Sequence, residues 1–268
     1  MKKKIFLLLF TISIPSLAER WYDVEIIVFK RNQNPNTVKE NWPVSPKSIN
    51  FSNAISLSDA AFLATKGLHF LPKKHWKLHE AYNKLTVHTD FKPLLHMAWR
   101  QNDGSKNVMP KLRLTAGKDY GDEFHTDGTT QVGHPLDREA SLQSHLRIEN
   151  QNDPMSQLDG FIHVYVQHYL FVEINLILQE AGEYKMPENA SIILPPMLDK
   201  QDTIIQHIVP RNKQYETLAK FQESKRSYST EKHMHSYSFD QKRHMRSGEI
   251  HYLDHPLIGL IIQVTKVE

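Results

Sequence analysis

An α+β fold on a mixed, mainly antiparallel sheet is predicted by three features of the sequence. Trp21–Lys30 is a β-branched and aromatic run with no helical period. Phe161–Leu178 alternates between aliphatic and polar residues. Two short helical patterns separate the first strand from another at Leu94–Arg100. The resulting strand-helix-helix-strand unit places its helices on one face of a sheet, with its two strands parallel or near neighbours. The chain from His235 onward reads as a C-terminal β-meander.

Taken in order, Trp21–Lys30 is a central strand candidate, and Arg31–Asn53, carrying Pro35, Pro43 and Pro46, reads as loop. Ser58-Asp59 offers an N-cap to Ala60–Ala64, and Gly67 stands where a left-handed C-terminal cap belongs. A second helix starting at Pro72 sets His75, Leu78, Tyr82 and Leu85 on one face and ends at Phe91-Lys92-Pro93. In Leu94–Arg100, Leu95, Met97 and Trp99 share one side, with His96, Ala98 and Arg100 on the other.

The polar residues near 103–159, relieved at Lys111–Thr115 and Leu142–Ile148, are expected as largely mobile loop. From Ile162 to Leu178 the even positions are aliphatic except His168, which predicts one very long strand with a core side and an aromatic, hydrogen-bonding side. A second mobile polar segment is expected near 180–231, with a helix around Lys213–Ser224. His235–Arg246, a turn at Ser247-Gly248, Glu249–Leu253 and Leu257–Val267 then form the meander.

Residues 1–18 have the form of a cleavable secretory signal peptide. Met1–Lys4 is positive, Ile5–Ile14 is apolar, and Pro15 precedes Ser16-Leu17-Ala18, which places the cut before Glu19 and leaves one domain over 19–268. The apolar run is about half of the roughly 20 residues a bilayer-spanning helix needs. His163, Gln167, His168, Glu173 and Asn175 interrupt Phe161–Leu178, so no membrane anchor is expected. The chain has no cysteine, so stability rests on an ordinary core and no acyl chain attaches at the cut. Lys+Arg number 33 against 30 Asp+Glu; losing Lys2, Lys3 and Lys4 brings the formal charge to zero and removes the basicity that nucleic-acid binding would use. A Gram-negative periplasm is the expected compartment, where Asn189-Ala190-Ser191 is a chance sequon. The 16 histidines make the charge rise as the medium acidifies.

No Gly-x-Ser-x-Gly elbow, Ser-x-x-Lys or clustered glycine loop is present, and the carboxylates at Asp119–Glu123 lie in a segment expected to be mobile. No catalytic residue, cofactor or metal is therefore assigned. The densest chemistry lies in Phe239–Pro256, read as one hairpin, where Arg243, Arg246, Glu249, His251, Tyr252, Asp254 and His255 are the candidate ligand-binding residues. Guanidiniums there suit carboxylates in a forked geometry, and Tyr252 suits stacking on a sugar or peptide. Cross-hairpin pairing of Arg243, Glu249 and Asp254 is the competing structural reading. His251 and His255 with Asp254 supply zinc-ligand types, as do His75 and His79, but the latter lack the intervening glutamate of a metalloprotease helix.

The run Lys242–Pro256 resembles the C-terminal signature of the CsiV family. Arg20–Phe29, Leu94–Gln101 and the Tyr165–Phe171 strand agree with it. The resemblance implies a periplasmic, non-enzymatic protein that binds peptidoglycan. With an outer-membrane lipoprotein activator, such a protein promotes wall synthesis by a class A penicillin-binding protein. His244 stands where the family signature has arginine, which makes that cationic position pH-dependent, and the polar stretch Asp103–Asp159 is longer than the family needs. The resemblance assigns no binding residues. A metal-dependent wall hydrolase and a pure protein-interaction adaptor are the alternative readings.

Overall fold

The computed structural model describes residues 20–39, 42, 48–125, 128–130, 155–187 and 228–267. The expected signal peptide, the sequon at Asn189, Leu142–Ile148 and the helix expected at Lys213–Ser224 lie outside them. Two compact units are present: Met1–Asp122 with Gly133–Glu180 and Ser236–Glu268, and Glu123–Val132 with Ala181–His235.

The first unit holds two five-stranded sheets. Its strands are β1 (Trp21–Arg31), β2 (Ala54–Ser56), β3 (Leu68–Phe70), β4 (Phe91–Asn102), β5 (Lys111–Asp119), β6 (Ser156–Val166), β7 (Leu170–Pro187), β8 (Tyr228–Met245), β9 (Ile250–Asp254) and β10 (Ile258–Lys266). The outer parts of β7 and β8 belong to the second unit. Sheet A runs β3-β4-β1-β10-β9, antiparallel throughout, and sheet B runs β2-β5-β6-β7-β8, with β2 parallel to β5. The protein is thus mostly β with few helices.

Period-two burial explains the layering. Val24, Ile26 and Val28 of β1, Trp99 of β4 and Ile262 and Val264 of β10 share one core with Leu114, Ile162, Ile174 and Phe239 of sheet B. Gln101 clips the sheets together, accepting from Trp99 Nε1 at 2.7 Å and donating to Val164 O at 2.9 Å. The opposite face of β1 carries Ile27 and Phe29, which pack under helix α2 (His79–Val87) through Leu78, Leu85 and Tyr82. Gly259 makes room there: a Cβ would lie 2.3 Å from the Phe29 ring.

The expected strand at Trp21 is central, as β1 lies between β4 and β10. Helix α1 (Ala60–Thr65) is capped by Asp59, which accepts from Phe62 N at 3.1 Å, and Gly67 is left-handed at φ +75°. The second helix begins later than expected: Lys73–His75 is a separate 3-10 turn, and extended backbone at Trp76 breaks it from α2. Strands β1 and β4 are neighbours but antiparallel.

Two further expectations give way. Phe161–Leu178 is a hairpin of β6 and β7, not one strand. His168, the lone exception to the alternation, sits in its turn rather than on a strand face. The meander also fails at its first connection, since β8 lies beside β7 in sheet B and β9 beside β10 in sheet A. Met245 and Leu253, either side of that crossing, are both buried in the shared core. Within the 103–159 stretch, β5 runs on to Asp119, and Arg113 pairs with Asp159 of β6 at 2.9 Å.

In the second unit Phe124 bridges Thr130, and Met234 N donates to Gly128 O at 2.8 Å. Phe124 and Met234 are its buried apolar side chains among the described residues.

Candidate functional site

The seven residues singled out in the sequence do not form one surface. Tyr252 and Asp254 lie on edge strand β9, where Asp254 accepts from Arg31 Nη2 at 2.5 Å and from Tyr252 Oη at 2.7 Å. Arg31 also donates to the Tyr252 hydroxyl, and the Tyr252 ring stacks on Phe29. Burial, reinforced by the hydrogen bond to Asp254, raises the Tyr252 pKa. Asp254 thus pairs with Arg31 rather than across an Arg243 hairpin, while Arg31 Nε is buried without a partner among the described residues.

His255 faces inward. Its ring packs 5.1 Å from Trp42 and 5.3 Å from Phe239, and Nδ1 accepts from Leu257 N at 3.3 Å. Burial pushes its pKa down to about 4, so it is a neutral interior group at neutral pH. His251 Nε2 accepts from Arg246 N at 3.3 Å. These two imidazoles therefore spend a ring nitrogen on local backbone. Among the described residues no group of three or more His, Cys, Asp or Glu is placed to hold a metal ion.

Arg246 and Glu249 lie in the exposed crossing, 3.7 Å apart. Arg243 is exposed near the end of β8, with no ion pair among the described residues. Its strand neighbours lead to an assembly that the candidate set did not contain. On the outer face of sheet B, Glu173 of β7 accepts from Lys106 at 2.7 Å, Tyr165 Oη at 2.7 Å and Lys242 at 3.0 Å. Burial opposes ionisation of Glu173, but these three donors outweigh it and bring its pKa down to about 2. Behind it, burial lowers the pKa of His163, whose Nε2 donates to Met109 O at 3.0 Å.

Rings extend the assembly. Tyr165 and Phe171 stack at 5.5 Å, with Lys242 5.1 Å above Phe171 and Lys106 5.5 Å above Tyr165. Tyr169, in the β6–β7 turn, is 61% exposed and meets His244 edge-on at 4.4 Å. An open ring and two anchored amines thus share the outer face at this end of sheet B, while the exposed Arg243, between Lys242 and His244, has the opposite strand parity. Lys106 carried no sequence signal, because it joins Glu173 across 67 positions from a polar loop. Lys242 and Glu173 stood in the motif and in the alternating run, but their meeting depends on β8 lying beside β7.

The exposed Tyr169 ring, the part-buried Phe171 ring and the amines beside them form an aromatic and cationic surface, with Tyr165 fully buried beneath it. The chain belongs to the CsiV family, described as peptidoglycan-binding protein, whose family model matches residues 3–267. No curated protein and no solved structure matches it. The family places the protein in the cell envelope. No helix among the described residues is long and apolar enough to cross a membrane.

Proposed function

We propose that the chain is a periplasmic accessory protein of wall synthesis, exported by a cleavable signal peptide. It binds peptidoglycan and, with an outer-membrane lipoprotein activator, promotes synthesis by a class A penicillin-binding protein. In this reading the sheet B surface makes the wall contact. Tyr169 and Phe171 take pyranose faces, and Arg243 and Arg246 take stem-peptide carboxylates. The observation that carries the reading is the 61% exposed Tyr169 ring beside the Lys106–Glu173–Lys242 cluster in a member of a peptidoglycan-binding family. Of the rest of the sequence-derived set, Tyr252 and Asp254 engage Arg31 at the edge of sheet A, Glu249 lies beside Arg246, and His251 and His255 bond local backbone.

Retention on isolated sacculi tests the assignment. Tyr169→Ala and the Arg243→Ala/Arg246→Ala pair are each expected to weaken retention about tenfold, the size of an interface anchor, while thermal unfolding stays unchanged. Full retention by both folded variants would move the contact elsewhere. Cross-linking in cells followed by partner identification tests the accessory role: the expected products contain an outer-membrane lipoprotein or a class A penicillin-binding protein.

A further inference from the structure

A second concavity lies at the far end of sheet A's strands. Trp21 opens β1 opposite Asn102 of β4, and Leu68 of β3 pairs with Gln101, so three strand ends converge. Gly67 turns the chain from α1 into β3 with no side chain, and a Cβ there would press to 3.0 Å from the Asn102 amide. The resulting open groove has a volume of about 650 Å³ and is lined by Trp21, Lys66, His69, Asn102, Asn107 and Val108 among others. That volume falls within the range of roughly 300–1,000 Å³ typical of ligand clefts.

The lining has a definite chemistry. The half-buried Trp21 indole supplies an aromatic surface, with the His69 ring tilted against it at 6.2 Å. The exposed Asn107 brings a side-chain amide, which both donates and accepts, and Asn102 lines the groove with its Oδ1 buried. Lys66 is the lysine of the lining, and among the described residues no carboxylate lines the groove. An N-acetylated pyranose matches this set: its ring presents apolar C–H faces, while its hydroxyl and acetamido groups need donors and acceptors together.

The loop 103–109 connects the groove to the surface on sheet B. Gly104 O accepts from Val166 N at 3.0 Å, which pins the loop to β6, and Val108 and Met109 N–H both turn back onto Ser105 O. From this loop Lys106 reaches Glu173 and covers Tyr165, while the adjacent Asn107 and Val108 line the groove.

We propose that the groove is a subsite for the glycan backbone of the wall, an uncharged run of N-acetylated pyranoses. The 103–109 loop then divides it from the cationic surface that takes the stem peptides. The proposal rests on the peptidoglycan-binding reading and adds a glycan site to it.

The test uses the purified protein and a tetrasaccharide of N-acetylglucosamine, a probe with neither stem peptide nor charge, in calorimetric titration. Saturable binding is expected, weakened about tenfold by Trp21→Ala and several-fold by the exposed loop pair Asn107→Ala/Val108→Ala. Arg31→Ala, at the other end of β1 from Trp21, is expected to leave probe affinity unchanged. The loop pair keeps the result interpretable should Trp21→Ala fail to fold. Retention on sacculi without probe binding, or probe binding that only Tyr169→Ala disturbs, overturns the groove and leaves the wall-binding reading standing. Failure to bind either sacculi or probe overturns both.

Discussion

The outer faces of the two sheets each hold a carboxylate under three donors, yet the donors differ in kind. On sheet A, Glu25 accepts from Lys77 N at 2.5 Å, Leu78 N at 3.0 Å and His96 Nε2 at 2.8 Å. Tyr82 stacks on His96 at 4.7 Å, Trp76 leans on it at 4.4 Å, and α2 follows directly. On sheet B, Glu173 is held by two lysine amines and a phenol, with no helix over it among the described residues. Backbone N–H groups sit in fixed positions and lose little freedom by binding a carboxylate. Lysine stems are mobile and can exchange one anion for another. One face uses the carboxylate to dock a helix, and the other uses it to hold cations ready at a surface.

The largest expected effect is on the covered face. Glu25 is 5% exposed, and Glu25→Ala leaves His96 and two N–H groups without their acceptor. A loss of about 3–5 kcal/mol is expected in urea unfolding. A loss below about 1 kcal/mol would show that α2 docks through its apolar face alone.

Acid sharpens the contrast. Glu173 ionises at about 2 in the folded chain against an ordinary 4.5. Its contribution is fully present above the ordinary value and is lost as pH falls towards 2. That shift corresponds to about 3 kcal/mol, and Glu173→Gln should flatten the stability profile in this window. His255 acts at milder pH. Its folded pKa of about 4 lies below the ordinary 6.5, so its neutral burial favours folding above 6.5 and is lost as pH falls towards 4. His255→Phe should remove that part of the slope. The smallest effect is at the Arg31–Asp254 corner: Arg31→Ala should cost about 1 kcal/mol and leave sacculus retention unchanged. A large loss of retention there would return the contact surface to Tyr252 and Asp254.

Much of the fold was legible because burial is written locally. The Asp59 cap, the Gly67 turn and the central strand at Trp21 follow from neighbouring residues alone. The same alternation hid the β6–β7 turn. Residues pair even with even, from Leu158↔Leu178 to Val166↔Leu170, so the turn at 167–169 preserves the inward phase straight through. Only His168 broke the pattern. The β8–β9 connection misled for the opposite reason: a short turn between strands suggests a hairpin, but Met245 and Leu253 enter one core from different sheets. The candidate site was legible as a motif and not as an assembly. Its arginines stayed exposed, while Asp254 and His255 were taken by Arg31 and by an aromatic interior.

Sequence alone determined which residues are apolar, at what period, and hence most strands with their inward faces, because a side chain's cost of exposure is its own property. It also carried the family, through the run Lys242–Pro256. Tertiary structure decided which sheet each strand joins and therefore which charges are already spent. Arg31 meets Asp254 across 223 positions and Lys106 meets Glu173 across 67, and such pairings exist only once the sheets have closed on their shared core.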